Sequence, residues 1–380
     1  RQTIMQIQKT GIERSRNITR FRSIDFYLVV PVILLTIIGI YVLNKVLSEG
    51  YAAYPGNLYR QIAAAMLGIF CALVICFIDT QLLKVLSWII YASAMFLLLL
   101  VPLDNYSMMA EWGADAWLNL PVLGNFQPSE LAKIGLVMVV ADLFERMNSK
   151  EFSMWKGLGL IAAVYAPPML LIFKQPDFGT AMVIAFSFVC VLFVWGVKYR
   201  YFLLAASLGI VAGIPLVWNF YLEGYQKKRI LSLVFEGSDP KAEYNLVQSK
   251  LAIASGGLAG NNTGVRVSVP VKESDFIYSA VSEHLGFIGT TVLLCLAFFF
   301  ICRCLYVASK CNKASYSYII IGIAAAFAFH FIENMGMSVG LLPITGIPLP
   351  FISLGGTSLL VNYISFGIIL NISMNRQQEA

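Results

Sequence analysis

Residues 24–46 read IDFYLVVPVILLTIIGIYVLNKV, with Asp25 and Lys45 as the only charges, one near each end. A helix rises about 1.5 Å per residue, so about 20 apolar residues cross the roughly 30 Å hydrocarbon core of a bilayer. The run is too long for the apolar part of a cleavable signal peptide, and residues 1–23 before it are polar and basic. It is expected to be a membrane span.

Outward from this run, apolar stretches recur at 59–78, 84–102, 129–144, 157–173, 178–196, 201–219, 276–302, 315–340 and 350–373. The expected fold class is all-α: a polytopic membrane protein with about ten transmembrane helices and a large structured extracellular loop. Composition agrees. Hydrophobic types make up 58% of the 380 residues and charged types 13%, against about 25% charged in soluble domains. That excludes a disordered chain and a soluble enzyme with one core. Long unbroken apolar runs also exclude a β-barrel, whose strands alternate. A net charge of +6 is no nucleic-acid signal.

Lys and Arg in short loops set orientation. Arg1, Lys9, Arg14, Arg16, Arg20 and Arg22 face one acid, Glu13, before the first span, so this segment is expected to be cytoplasmic. Alternation then places Arg146, Lys150, Lys156, Lys198, Arg200, Arg303, Lys310, Lys313 and Arg376 on the same side. The loop 103–128 falls outside, with Asp104, Glu111 and Asp115 and no Lys or Arg. The organisation expected is a cytoplasmic segment 1–23, one transmembrane domain 24–373 with long outer loops 103–128 and 220–275, and a cytoplasmic tail 374–380. In the second loop, Tyr244, Val247, Leu251 and Ala254 recur at helical spacing before Gly256-Gly257. This predicts an amphipathic helix at the outer interface.

The seven cysteines lie in or beside apolar runs and imply no disulfide framework. His284 and His330 are the only histidines, which excludes a multi-histidine metal site.

Several side chains could carry chemistry. Asp275 stands where a polar loop meets the run 276–302. A carboxylate there either caps the following helix or, partly desolvated, serves as a base. Glu130 and Lys133 share a helix face after Pro128. Such a pair inside a membrane either closes a helix end as an ion pair or lines a polar cavity. Asp177 suits a helix start, where an acid favours the dipole. The outer loop gathers Lys227, Lys228, Arg229, Lys241, Lys250, Arg266 and Lys272. They fit lipid headgroups or an anionic, phosphate-bearing substrate. His330, Glu333 and Asn334 make a polar patch in an apolar run. The stretch Gly340–Ser358, with three prolines and several glycines, must be buried in protein or line a cavity. Walker A and dinucleotide patterns are absent, so nucleotide hydrolysis is not expected.

Five segments in order carry a family resemblance: Gln127-Pro-Ser-Glu-Leu-Ala-Lys133, Gln175-Pro-Asp-Phe-Gly-Thr-Ala181, Gln248-Ser-Lys-Leu-Ala-Ile with Ser255-Gly-Gly-Leu258, Ser274-Asp-Phe-Ile277, and Gly340 to Ser358. Here the chain resembles the SEDS family (shape, elongation, division and sporulation), typified by RodA, FtsW and SpoVE. The opening Arg22-Ser23-Ile24-Asp25-Phe26 is closer to RodA.

The resemblance implies a peptidoglycan glycosyltransferase that polymerises lipid II at the outer leaflet of the bacterial plasma membrane. It implies a class B penicillin-binding protein as partner, with lipid II, the nascent glycan strand and membrane lipids as the other contacts, and no nucleic acid. Asp275 matches the family's essential carboxylate, and Glu130 and Lys133 its embedded pair. The expected reaction is an inverting displacement with Asp275 as general base. Glu130, Lys133, Asp177, Arg229, Lys250, Lys272 and Ser274 are expected to face the substrate. Arg229, Lys250 and Lys272 are candidates for the pyrophosphate, with or without a divalent cation such as Mg2+ or Mn2+. The chain departs from the family pattern at Asp115 and Ala116, at His284, at Glu333 and at Leu354. The rival reading is a lipid-linked-oligosaccharide flippase, with the same polar patches lining a headgroup path.

Overall fold

The computed structural model describes residues 24–48, 56–103, 116–120, 124–175, 177–222, 224–232, 235 and 238–375. The helices are α1 Phe26–Ser48, α2 Gly56–Phe77, α3 Thr80–Leu100, α4 Pro128–Asn148, α5 Met154–Lys174 and α6 Phe178–Trp195. They continue as α7 Tyr199–Phe220, α8 Gly224–Leu231, α9 Pro240–Ser255, α10 Ile277–Ser309, α11 Ala314–Val339 and α12 Gly356–Asn375. A short antiparallel pair, β1 Leu118–Leu120 with β2 Gly124–Phe126, precedes α4.

Among the described residues nine helices are long and apolar enough to cross a membrane. The expected fourth span is the exception: α4 has the length but carries Glu130, Lys133, Asp142, Glu145 and Arg146. Glu130, Lys133 and Asp142 are buried against the neighbouring helices, mainly α3, α5, α6 and α11, and Glu145 and Arg146 lie partly exposed near its last turn. The protein is a multi-pass, all-α membrane protein.

Two other expected spans shift. The run at 350–373 becomes α12 from Gly356, and residues 343–355 form no helix. The run at 276–302 becomes α10, which breaks at Gly286 (φ 63°, ψ −162°). The segment after α9 slots into that break. Gly257 and Leu258 carbonyls accept from the Phe287 and Ile288 amides at 2.8 and 3.0 Å, and Asn261 N–H donates to the Glu283 carbonyl at 2.7 Å. A side chain at Gly286 would lie 2.5 Å from Leu258 and Gly260 backbone atoms. Glycine is thus required twice there, for conformation and for space.

The helix expected around Tyr244–Ala254 is present as α9. Ala242, Ser249 and Ala252 face inward, and Tyr244, Val247 and Leu251 point out. At the edge of the bundle α7 buries none of its apolar span.

Charged clusters gather at one end of the bundle. Arg303 at the far end of α10 makes a forked pair with Asp25, through Nε at 3.1 Å and Nη2 at 2.7 Å, and Ser373 of α12 donates to the same carboxylate at 3.3 Å. Tyr27 and Tyr306 rings flank the guanidinium at 4.9 and 4.8 Å. Lys84 meets Glu145 at 2.8 Å, and Arg146 meets Asp142 at 3.0 Å. Asn371 of α12 bonds the Ile75 and Ile78 carbonyls just before α3, which puts both clusters at the same end. Arg303→Met would remove the forked guanidinium from the buried Asp25 carboxylate. The expected cost is about 3 kcal/mol, read as a lowered unfolding midpoint of the purified protein in detergent.

Candidate active site

At the opposite end converge the starts of α2, α4, α6, α10 and α12, the end of α11, and the non-helical segment 343–355. Asp275 sits there, half-buried, in a turn before α10. Ser274 and Phe276 amides both reach the Val271 carbonyl, at 3.2 and 3.3 Å. Val271 holds φ 56°, a left-handed conformation that a β-branched residue adopts only when its surroundings impose it. Ser274 Oγ donates to Asp275 Oδ1 at 3.1 Å. On the other oxygen's side lies Gly346 (φ 75°), where a side chain would come within 3.3 Å of Oδ2. On that side Gly346 presents no side chain to the carboxylate.

The embedded pair forms. Lys133 Nζ donates to Glu130 Oε1 at 2.7 Å and to His330 Nε2 at 2.8 Å, and His330 Nδ1 lies 3.0 Å from the Pro348 carbonyl. An ammonium only donates, so Nε2 accepts and Nδ1–H donates to Pro348. This ties α4 through α11 to the segment 343–355. Lys133 also borders a small hollow lined by Tyr165, Ser187 and apolar side chains of α4 and α6. Of the two alternatives read from the sequence, the ion pair is formed, and the hollow beside it is mainly apolar.

Asp177 caps α6. Its Oδ1 accepts from Thr180 N–H at 3.0 Å, and its Oδ2 from Gln127 Nε2 at 2.8 Å and Ser129 Oγ at 3.3 Å. Glu333 accepts from Thr345 Oγ1 at 2.9 Å. Lys250 is exposed on α9, its ammonium lying over Gly340 at the end of α11.

Lys272 differs from expectation. It is 1% exposed and paired with Glu283, which is 0% exposed. Its ammonium also donates to the Val267 carbonyl at 3.1 Å, and Glu283 Oε1 accepts from Val267 N–H at 2.8 Å. This cation fastens the loop to α10. The side chain of Arg229 and the whole of Asp115 lie outside the described residues.

Helix α11 is the spine of the site. His330 reaches Lys133, Glu333 reaches Thr345, Asn334 reaches the Asp275 carbonyl at 2.8 Å, and Gly340 underlies Lys250. From the sequence, His330 and Asn334 appear only as a polar patch. Their four-residue spacing puts them on one face, but nothing local names the partners.

Among the described residues no cluster of three or more His, Cys, Asp or Glu could hold a metal ion. A divalent cation at Asp275 fits only as one that takes most of its oxygen ligands from a diphosphate and water, as Mg2+ commonly does.

Residues 22–378 match the family described as a cell cycle protein, FtsW/RodA/SpoVE. Peptidoglycan glycosyltransferase MrdB of Escherichia coli (strain K12) is 33% identical over 328 residues, 85% of this chain and 87% of that protein. Stage V sporulation protein E of Bacillus subtilis (strain 168) is 29% identical over 365 residues, 93% of this chain and 98% of that protein. A solved structure described as "Structural coordination of polymerization and crosslinking by a peptidoglycan synthase complex" matches with a TM-score of 0.79 at 29% identity, covering 93% of this chain and 99% of that one. The rod shape determining protein RodA of Thermus thermophilus matches with a TM-score of 0.68 at 28% identity, over 93% and 98% of the two chains. With sequence and backbone agreeing across nearly the full length, the chain belongs to the FtsW/RodA/SpoVE family.

Proposed function

We propose that this chain is a peptidoglycan glycosyltransferase that polymerises lipid II, with Asp275 as its general base. The observation that carries the assignment to Asp275 is its setting. A half-buried carboxylate faces a glycine wall at the bundle end where the non-helical segment and the outer loop meet.

The acceptor is a sugar 4-hydroxyl, a poor nucleophile until a base takes its proton. Asp275 accepts that proton as the oxygen attacks the anomeric carbon of a polyprenyl-pyrophosphate-linked sugar. The C–O bond to the carrier breaks, and pyrophosphate leaves as an anion without needing a general acid. A nearby cation stabilises it, and Lys250, exposed on α9 beside the end of α11, is the candidate. Inversion follows from a single displacement. The bundle's lateral surface is apolar, so both polyprenyl tails can stay in lipid while their headgroups reach the end of the bundle.

The end bearing Asp275 is assigned to the outside. In support, Arg303, Arg146 and Lys84 gather at the other end, as cytoplasmic cations do. A class B penicillin-binding protein is the proposed partner, in line with the peptidoglycan synthase complex that the backbone resembles.

The test is glycan synthesis from lipid II by the purified chain, with and without a class B penicillin-binding protein, in membranes. Polymer is the expected product. Movement of labelled lipid II between leaflets without polymer would instead establish the flippase reading.

A further inference from the structure

The turn that carries Asp275 belongs to no helix or strand, so its carbonyls have no ladder to join. Three consecutive ones are nevertheless taken, each by a donor far along the chain. The Glu273 carbonyl accepts from Leu354 N–H at 2.9 Å. That of Ser274 accepts from Ser353 Oγ at 2.7 Å. That of Asp275 accepts from Asn334 Nδ2 at 2.8 Å.

The donors are themselves aimed. Ser353 Oγ accepts from Leu349 N–H at 2.8 Å, which directs its proton to Ser274. Gln61 of α2 brackets the same residue, donating to the Ser353 carbonyl at 2.8 Å and accepting from Gly355 N–H at 3.2 Å. Asn334 is 0% exposed and spends its second N–H on the Ile347 carbonyl, also at 2.8 Å. Ile347 follows Gly346, the residue facing Asp275 Oδ2. One amide therefore holds both the carboxylate's backbone and the wall opposite it.

We propose that Asn334 and Ser353 are positioning residues that set the place of the Asp275 carboxylate relative to the Gly346 wall. This rests on the reading of Asp275 as general base. A base works only within hydrogen-bond reach of the proton it removes, and an error of about 1 Å can cost about 100-fold in rate. A turn on the rim of a membrane protein would drift by that much if water alone satisfied it.

The test measures lipid II polymerisation by the full chain with its penicillin-binding partner, at varied lipid II. Temperatures are set well below each variant's unfolding midpoint. Asn334→Leu and Ser353→Ala are each expected to lower kcat about 10- to 100-fold with KM within about 3-fold of wild type. Ser353→Thr, which keeps the hydroxyl, should recover most of the loss. Ser353→Ala is the milder packing change and carries the test if Asn334→Leu fails to fold. A kcat near wild type for Ser353→Ala, or a loss confined to KM, overturns the clamp. If Asp275→Asn is inactive in the same assay, the base reading survives that result. If Asp275→Asn polymerises normally, the base reading falls first.

Discussion

Asp275→Asn is expected to lower kcat for lipid II polymerisation by about 10²–10⁴-fold, the usual worth of general-base help, with little change in folding. Asparagine preserves shape. It can still accept the Ser274 hydroxyl bond at 3.1 Å, and the backbone bond from Asn334 does not involve the side chain. What it loses is the ability to take a proton. The loss should therefore appear in kcat, while lipid II binding and the unfolding midpoint stay close to wild type. Asp275→Glu keeps a base but lengthens it by one methylene on the side of Gly346, where an added Cβ would stand 3.3 Å from Oδ2. It should be strongly impaired too, though less than Asn. Wild-type kcat in Asp275→Asn would remove the base role, and a purely binding defect would reassign Asp275 to substrate contact.

The spans were legible because membrane crossing imposes a pattern that needs no tertiary information. The run 24–46 states its own fate, and α1 covers Phe26–Ser48. Glu130 and Lys133 were legible as a pair because helical spacing alone brings residues three apart together. Hydropathy failed where apolar character had another cause. Leu349-Pro-Phe-Ile352 is apolar because it is buried in protein, not because it crosses lipid, so the last span was read six residues early. Gly286 lay unnoticed inside an apolar run, since a helix break supported by an inserted loop leaves no trace in hydropathy. The candidate site was legible in its central acid and not in its support. Asn334, Ser353 and His330 act through partners 59, 79 and 197 positions away, distances over which no spacing rule reaches.

Lys272 is where sequence and structure part most sharply, and a two-step substitution separates them. Three residues before Asp275, a lysine looks available to a diphosphate. The fold instead buries it against Glu283, eleven positions on. Lys272→Met should cost about 3–5 kcal/mol of stability, because it strands a fully buried carboxylate. The unfolding midpoint should drop steeply, and polymerisation should fall with it, since the loop so fastened carries Asp275. Lys272→Met combined with Glu283→Gln should recover most of both. Glutamine's carbonyl oxygen can keep the bond from Val267 N–H, no charge is left unpaired, and methionine fills most of the lysine's volume. Were Lys272 a pyrophosphate ligand, the double variant would regain stability and remain inactive. Recovery of activity along with stability assigns Lys272 to holding the loop and leaves the leaving group to other cations, with Lys250 as a candidate.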